Sequence, residues 1–214
     1  MQYAIFDMDG TLIDSMPAWN RLGGDYLRSK GIEPPANWRS EIAPMTMLEC
    51  GQYASRLGVP GTPGEIADEL NEWMARQYRE TIPAREGVRK YLRLCREAGI
   101  QMCVATATNR VLAEKCLRRL ELWDFFAFLV SCEDIGKTKT SPDIYLLAAR
   151  ELGATPGEIV VYEDVLYPAE TAKKAGFPVV GVYDPASGEE NAEALRQYCD
   201  AFIADWSGCE KVVL

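Results

Sequence analysis

"MQYAIFDMDGTLIDS", residues 1–15, opens the chain. Four near-apolar residues, Tyr3 to Phe6, run straight into two aspartates one residue apart, and Gly10 and Thr11 follow. A short continuous apolar run suits a strand buried on both faces. Two carboxylates at the end of such a strand repel each other, so another part of the chain must hold them there. Taken alone, Asp7 and Asp9 could also be solvated groups at an ordinary strand end.

Similar runs recur downstream: "IQMCVAT" (100–106), "FFAFLVS" (125–131), "IVVYED" (159–164), "PVVGVYD" (178–184) and "AFIAD" (201–205). Amphipathic segments lie between them. "GVRKYLRLCREAG" (87–99) spaces Val88, Leu92 and Cys95 three or four apart and stops at a glycine. "SPDIYLLAARELG" (141–153) opens on a Ser cap and also ends in Gly, as does "PAETAKKAGF" (168–177) just before its last residue. This alternation predicts an α/β fold, a doubly wound, Rossmann-like parallel sheet. The stretch 15–83 breaks the pattern. Its helical patches, "MPAWNRLGGDYLRSKG" and "GEIADELNEWMARQYRETI", are joined by the Pro- and Gly-rich "EPPANW" and "GVPGTPG". The expected organisation is a catalytic core from 1–14 and 84–214, with a small all-α domain inserted at 15–83.

Composition narrows the chemistry. The chain has 214 residues, 48% apolar and 26% charged, with a net charge of −9 and no histidine. The acidic balance argues against nucleic acid or an anionic membrane as partner. Without histidine, Ser-His-Asp, Cys-His and His-ligated zinc sites cannot be built, and a general acid or base must be Asp, Glu, Lys, Tyr or Cys. Seven cysteines, none spaced as C-x-x-C, read as buried free thiols of a reducing compartment. No signal peptide and no apolar run of bilayer length is found, so the cytoplasm is the expected location. Oligomeric state is left open between monomer and weak dimer.

In an open parallel sheet, ligands bind beyond the carboxyl ends of the strands. Asp7, Asp9, Gly10 and Thr11 follow the first run; Thr106, Ala107 and Thr108 close the second; Lys137 and Lys139 lie in "CEDIGKTKTSPD" after the third; Glu163 and Asp164 close the fourth. Crowded carboxylates call for a hard divalent cation such as Mg²⁺. Asp7 and Asp164 can each give one oxygen, the Asp9 carbonyl a third, and a substrate phosphate a fourth. With no histidine, the expected nucleophile is a carboxylate attacking phosphorus. Asp9 can protonate the leaving oxygen and later deprotonate water. Gly10 lets the backbone turn sharply near phosphate. Lys139 balances charge and Thr106 donates to a phosphoryl oxygen. The plainer readings are that Thr106 and Thr108 cap a helix and that Lys137 is solvated. "IGKTKT" hints at a phosphate loop, but Ser131 stands where that motif needs a glycine. Trp19, Trp38, Trp73, Met45 and Met47 are either helix-packing core or substrate contacts; Arg39, Thr46 and Arg56 are weaker candidates for contact.

"DMDGT" resembles the first motif of the haloacid dehalogenase-like superfamily, D-x-D-G-T. "CVATAT" (103–108), "KTSPDIY" (139–145) and "VVYEDVLYPAETAKKAGF" (160–177) resemble its second, third and fourth motifs in order, and "IPAREGVRKYLRLCREAGI" (82–100) resembles the segment that re-enters the core after a small cap. The resemblance implies that Asp7 is the nucleophile, Asp9 the acid/base, Thr106 a phosphate-binding hydroxyl, Lys139 the stabilising cation and Asp164 a magnesium ligand, with Glu163 associated with the metal. Asp7, Asp9, Glu163 and Asp164 are thus the candidate metal residues. Gly10, Thr11, Ala107, Thr108, Trp19 and Thr46 are the candidate substrate contacts. Dehalogenases and phosphonate-cleaving members lack the second aspartate. Its presence implies a phosphatase acting on a small phosphorylated metabolite through an aspartyl-phosphate. The alternatives are a β-phosphoglucomutase-like mutase, against which Trp19 stands where such members carry a histidine, and a silent binding module. One departure is Val165, where many relatives carry serine.

Overall fold

The computed structural model describes residues 2–42 and 45–212. By packing, the chain divides into two units, Met1–Asp14 with Pro83–Leu214, and Ser15–Ile82. The first unit holds a six-stranded sheet: β1 (Tyr3–Phe6), β2 (Gln101–Thr106), β3 (Leu129–Ser131), β4 (Ile159–Glu163), β5 (Val179–Val182) and β6 (Ala201–Ile203). All neighbours are parallel, in the order β3-β2-β1-β4-β5-β6. Parallel strands are covered on both faces, which is why their sequences run apolar without alternation. Side chains still alternate between faces. Ile5, Cys103, Ala105, Val161 and Val179 pack with Ile144, Tyr145, Ala148, Ala169 and Leu195 in one core. Phe6 lies on the other face, stacked on Tyr162 at 4.3 Å, with Trp206 and Tyr91 completing an aromatic cluster. The doubly wound α/β core expected from the sequence is the observed fold.

The helices are α1 (Met16–Ser29), α2 (Trp38–Ile42), α3 (Met47–Arg56), α4 (Pro63–Glu80), α5 (Val88–Glu97), α6 (Arg110–Arg119), α7 (Cys132–Ile135), α8 (Asp143–Leu152), α9 (Leu166–Lys174) and α10 (Gly188–Tyr198). The first four make up the second unit, which has no strand among its described residues. Here α3 and α4 each start in a capping box, Thr46 with Glu49 and Thr62 with Glu65. They approach so closely at Gly51 that a Cβ there would lie 2.1 Å from the Pro63 carbonyl oxygen. No described helix is long and apolar enough to cross a membrane.

Three local expectations are corrected. The run 125–131 is a strand only from Leu129, because Trp123–Phe125 form a 3₁₀ turn after Glu121, which sits at φ 54°. Ahead of Leu129, Ala127 and Phe128 already bond to the β2 backbone, and Phe126 packs on Phe6 edge-on at 6.0 Å. Ser141 does not cap α8: its hydroxyl donates to the Asp143 carboxylate, and Pro142 takes the cap position. Helix α9 begins two residues before the expected Pro168.

Candidate active site

Chain order turns round at β1. The chain runs outward through β2 and β3, then returns to lay β4 on the other side of β1. Carboxyl ends of strands at such a point form a crevice. Asp7 leaves β1 with its amide still bonded to the Tyr162 carbonyl at 2.9 Å, which fixes it beside the end of β4. Glu163 closes β4 and Asp164 follows it. Asp7, Glu163 and Asp164 are all buried and bring carboxylate oxygens within 4.8 Å of one another. Lys139, 4% exposed, reaches them from the loop before α8. Its ammonium donates to Asp7 Oδ1 and, at 2.8 Å, to Glu163 Oε1.

Three buried carboxylates against one ammonium leave a formal charge of −2 when all are ionised, which one divalent cation balances. Burial pushes the Asp7 carboxyl up to about 7; Lys139 pulls it down, and the charges of Glu163 and Asp9 add to the rise. The Asp164 carboxyl is also held well above the usual range, by burial first and then by the charges of Asp7, Glu163 and Asp184. Burial works against the Lys139 ammonium, yet Asp7 and Glu163 outweigh it and hold its pKa above the ordinary value. Lys139 is shared between two acids, so it neutralises neither fully. Gly10 makes room for the cluster: at φ 83°, a Cβ there would lie 2.2 Å from Asp164 Oδ2. The donor set, its charge and this opening fit a hard cation taking oxygen ligands.

The raised carboxyls have a measurable consequence. A raised acid contributes stability fully present below its unfolded pKa, here 3.8, and lost as pH rises through the folded value near 7. The melting temperature of the metal-free protein is expected to fall between pH 5 and pH 8, and added magnesium to raise it more at pH 8 than at pH 5. Thermal unfolding in chelator and in magnesium across that range checks this. A metal-free melting temperature that climbs toward pH 8 would count against the cost assigned to ionising these carboxylates in a buried, acidic cluster.

The remaining expected residues divide. The Asp9 carboxylate lies outside the three-carboxylate cluster. Its Oδ2 accepts from Thr108 Oγ1 at 2.7 Å and, more weakly, from Thr106 Oγ1 at 3.5 Å. Thr106, fully buried, also accepts the Thr108 amide at 3.0 Å, so the turn after β2 is organised around Asp9. Ala107 lies within that turn. Thr11 is buried and donates to Asp164 Oδ1 at 3.1 Å, bracing a carboxylate. Lys137 pairs with Asp143 at the surface. In the helical unit, Trp19 Nε1 donates to the Tyr78 hydroxyl at 3.0 Å. Trp19 also lines, with Trp38, Arg39, Met45 and Met47, a cavity of about 440 Å³. Thr46 is exposed and caps α3.

Sequence reading missed three supports. Tyr145 Oη donates to Glu163 Oε1 at 2.6 Å, its own pKa raised by burial and by the Glu163 charge so that it stays a donor. Arg85 Nη1 donates to the Gly10 carbonyl at 2.9 Å and to Asp184 Oδ1 at 3.1 Å. Trp206 Nε1 donates to the Thr11 carbonyl at 3.0 Å. The available signals were faint: Tyr145 stands in the quoted "KTSPDIY" and Arg85 in the re-entry segment, whereas nothing marks Trp206.

Comparison with known proteins shows the family. A family model described as haloacid dehalogenase-like hydrolase matches residues 4–182. Hexitol phosphatase B of Escherichia coli (strain K12) is 33% identical over 166 residues, covering 75% of this chain and 74% of that protein. A phosphorylated carbohydrates phosphatase of Thermotoga maritima is 30% identical over 192 residues, covering 83% and 82%. Among solved structures, a Thermotoga maritima protein assigned as a beta-phosphoglucomutase superposes with a TM-score of 0.83 at 27% identity, covering 96% of this chain and 95% of that one.

Proposed function

The chain belongs to the haloacid dehalogenase-like hydrolases, and we propose that it is a magnesium-dependent phosphatase of small phosphorylated carbohydrates. The observation that carries the reading is the buried Asp7–Glu163–Asp164 cluster, clamped by Lys139 and one divalent cation short of neutrality when all three acids are ionised. Asp7 and Asp164 would hold Mg²⁺ with the Asp9 carbonyl, and Glu163 would stand behind them. The bound cation neutralises charge on the carboxylates and the incoming phosphate.

The chain's own residues account for the chemistry. An Asp7 carboxylate oxygen attacks phosphorus, and the bond from phosphorus to the ester oxygen breaks. Asp9, held by Thr108, gives its proton to that oxygen and releases the alcohol. The Asp9 carboxylate then takes a proton from water as the water attacks the aspartyl-phosphate. Inorganic phosphate leaves, and Asp7 is regenerated. Lys139 stays charged and balances the phosphoryl oxygens. Thr106 and the backbone around Gly10 and Ala107 supply further donors to phosphate. Substrate selection is assigned to the helical unit as a cap, with Trp19 the residue proposed for contact. The cytoplasm, where phosphorylated metabolites accumulate, is the compartment proposed.

The test is phosphate release from a panel of hexose, hexitol and pentose phosphates, phosphoglycolate and nucleoside monophosphates, with magnesium and with chelator. Turnover is expected to be fastest on a sugar or sugar-alcohol phosphate and to vanish in chelator. Full activity without divalent metal, or inertness across the whole panel in magnesium, would overturn the reading.

A further inference from the structure

Helix α9 begins at Leu166, directly after the Glu163–Asp164 pair, and its start is capped from elsewhere in the chain. The first amides of a helix lack intrahelical partners, and a Ser, Thr, Asp or Asn at the N-cap ordinarily accepts one from the second or third helical residue. Val165 holds that position with extended backbone and no side-chain cap. Pro168, the third helical residue, has no amide to offer. The Leu166 amide donates instead to Asn191 Oδ1 at 3.0 Å, and Asn191 Nδ2 donates to the Asp164 carbonyl at 2.7 Å. One side-chain amide from α10 therefore grips the backbone on both sides of Val165.

We propose that Asn191 is a positioning residue for the Asp164 carboxylate, holding it ready for the divalent cation. The inference rests on the reading of the carboxylate cluster as a cation site. Strand β4 ends at Glu163, paired with Gly181, so Asp164 lies beyond the ladder. Its carboxylate is braced by Thr11 and crowded by Gly10, but the direction of its side chain follows from the backbone at 164–166. Asn191 fixes both polar groups that flank that turn. The element carrying Asn191 is itself tied to the Asp7 loop. Ahead of α10, Asp184 accepts from the Ala186 amide at 3.2 Å and from Arg85, whose guanidinium also holds the Gly10 carbonyl. Partners that orient a metal ligand without touching the metal typically change metal affinity by about 10–100-fold when removed. Such a change falls on metal binding, whereas general damage to the fold also moves the substrate KM and the melting temperature.

The experiment compares wild type, N191A and N191D by calorimetric titration with magnesium in the absence of substrate, alongside the magnesium half-saturation of turnover and the substrate KM at saturating magnesium. N191A is expected to weaken magnesium binding about 10-fold and to leave the substrate KM within about twofold of wild type. N191D keeps an acceptor for Leu166 and loses the donor to Asp164. Its added negative charge favours a cation, so weaker binding by N191D is expected only if positioning is lost. Adding V165S to N191A, which offers the Tyr167 amide a hydroxyl, is expected to restore part of the affinity. Magnesium affinity of N191A within about twofold of wild type overturns the proposal. If N191A does not fold, N191D binding magnesium as tightly as wild type overturns it. A wild-type chain that binds no magnesium removes the cation reading and this inference together.

Discussion

Asp7→Asn is expected to lower phosphate release at least about 10³-fold while leaving the protein folded. An amide cannot attack phosphorus to give an acyl phosphate, and no other described side chain lies both at the end of β1 and against Lys139. The same substitution is expected to raise the melting temperature of the metal-free protein at pH 8. Asp7 has a pKa raised by burial first and neighbouring charge second, so its ionised form opposes folding there, and a neutral amide removes that cost. The gain in melting temperature on adding magnesium is expected to shrink, because one carboxylate of the cluster is gone. A phosphoenzyme that hydroxylamine discharges should form with wild type and be absent from the variant. Turnover of Asp7→Asn within about tenfold of wild type would falsify the nucleophile assignment. A loss of turnover accompanied by unfolding would not count as support, which is why the thermal measurement belongs beside the kinetic one.

The parts of the site legible in the sequence are those whose chemistry dictates both residue type and place. Asp7, Asp9, Lys139, Glu163 and Asp164 each end or follow a strand or precede a helix start, and a parallel sheet gathers such ends on one rim. That made the rim readable before any distance was known, though not that the Asp9 carboxylate stands apart from the other three. The strands themselves were readable because burial on both faces demands continuous apolar runs; at 125–131 part of the apolar signal came from Phe126 packing edge-on against Phe6 ahead of the strand. What stayed hidden are the bonds that hold the rim in shape. Thr11 reaches Asp164 across 153 positions and Trp206 reaches Thr11 across 195. Such contacts carry no periodicity and no local motif, since only the finished fold sets which loops lie side by side. Thr11 illustrates the limit. Its place beside Asp9 and Gly10 suggested contact with substrate, while its buried hydroxyl braces the Asp164 carboxylate. Asn191 is a stronger case: Val165 was visible as a departure, but the residue that takes over its capping role stands in another helix.

Replacing Lys139 by Met, which keeps much of the volume and removes the charge, is expected to damage both stability and turnover, in a pH-dependent way. Lys139 is buried with two acids, and taking one partner out of such a group typically costs about 3–5 kcal/mol when the remaining charges cannot be solvated. Asp7 has an escape, because its buried carboxyl, already held up at about 7, can take up a proton. The loss should therefore be small at pH 5 and large at pH 8. Lys139 itself does not produce that slope. Its pKa is raised above an ordinary value of 10.5, so its contribution is fully present throughout this range and fades only at higher pH. Magnesium supplies positive charge to the same carboxylates and should restore part of the melting temperature at pH 8. It should not restore catalysis, because the ammonium also faces the phosphoryl oxygens in the proposed reaction, and removing one such charge typically lowers turnover about 10²–10³-fold. Thermal melts of K139M at both pH values, with and without magnesium, are to be read against phosphate release at saturating magnesium. A variant that melts like wild type at pH 8 in chelator, or that turns over within about fivefold of it, would show that the carboxylates do not depend on this lysine and that the charge balance drawn for the cluster is wrong.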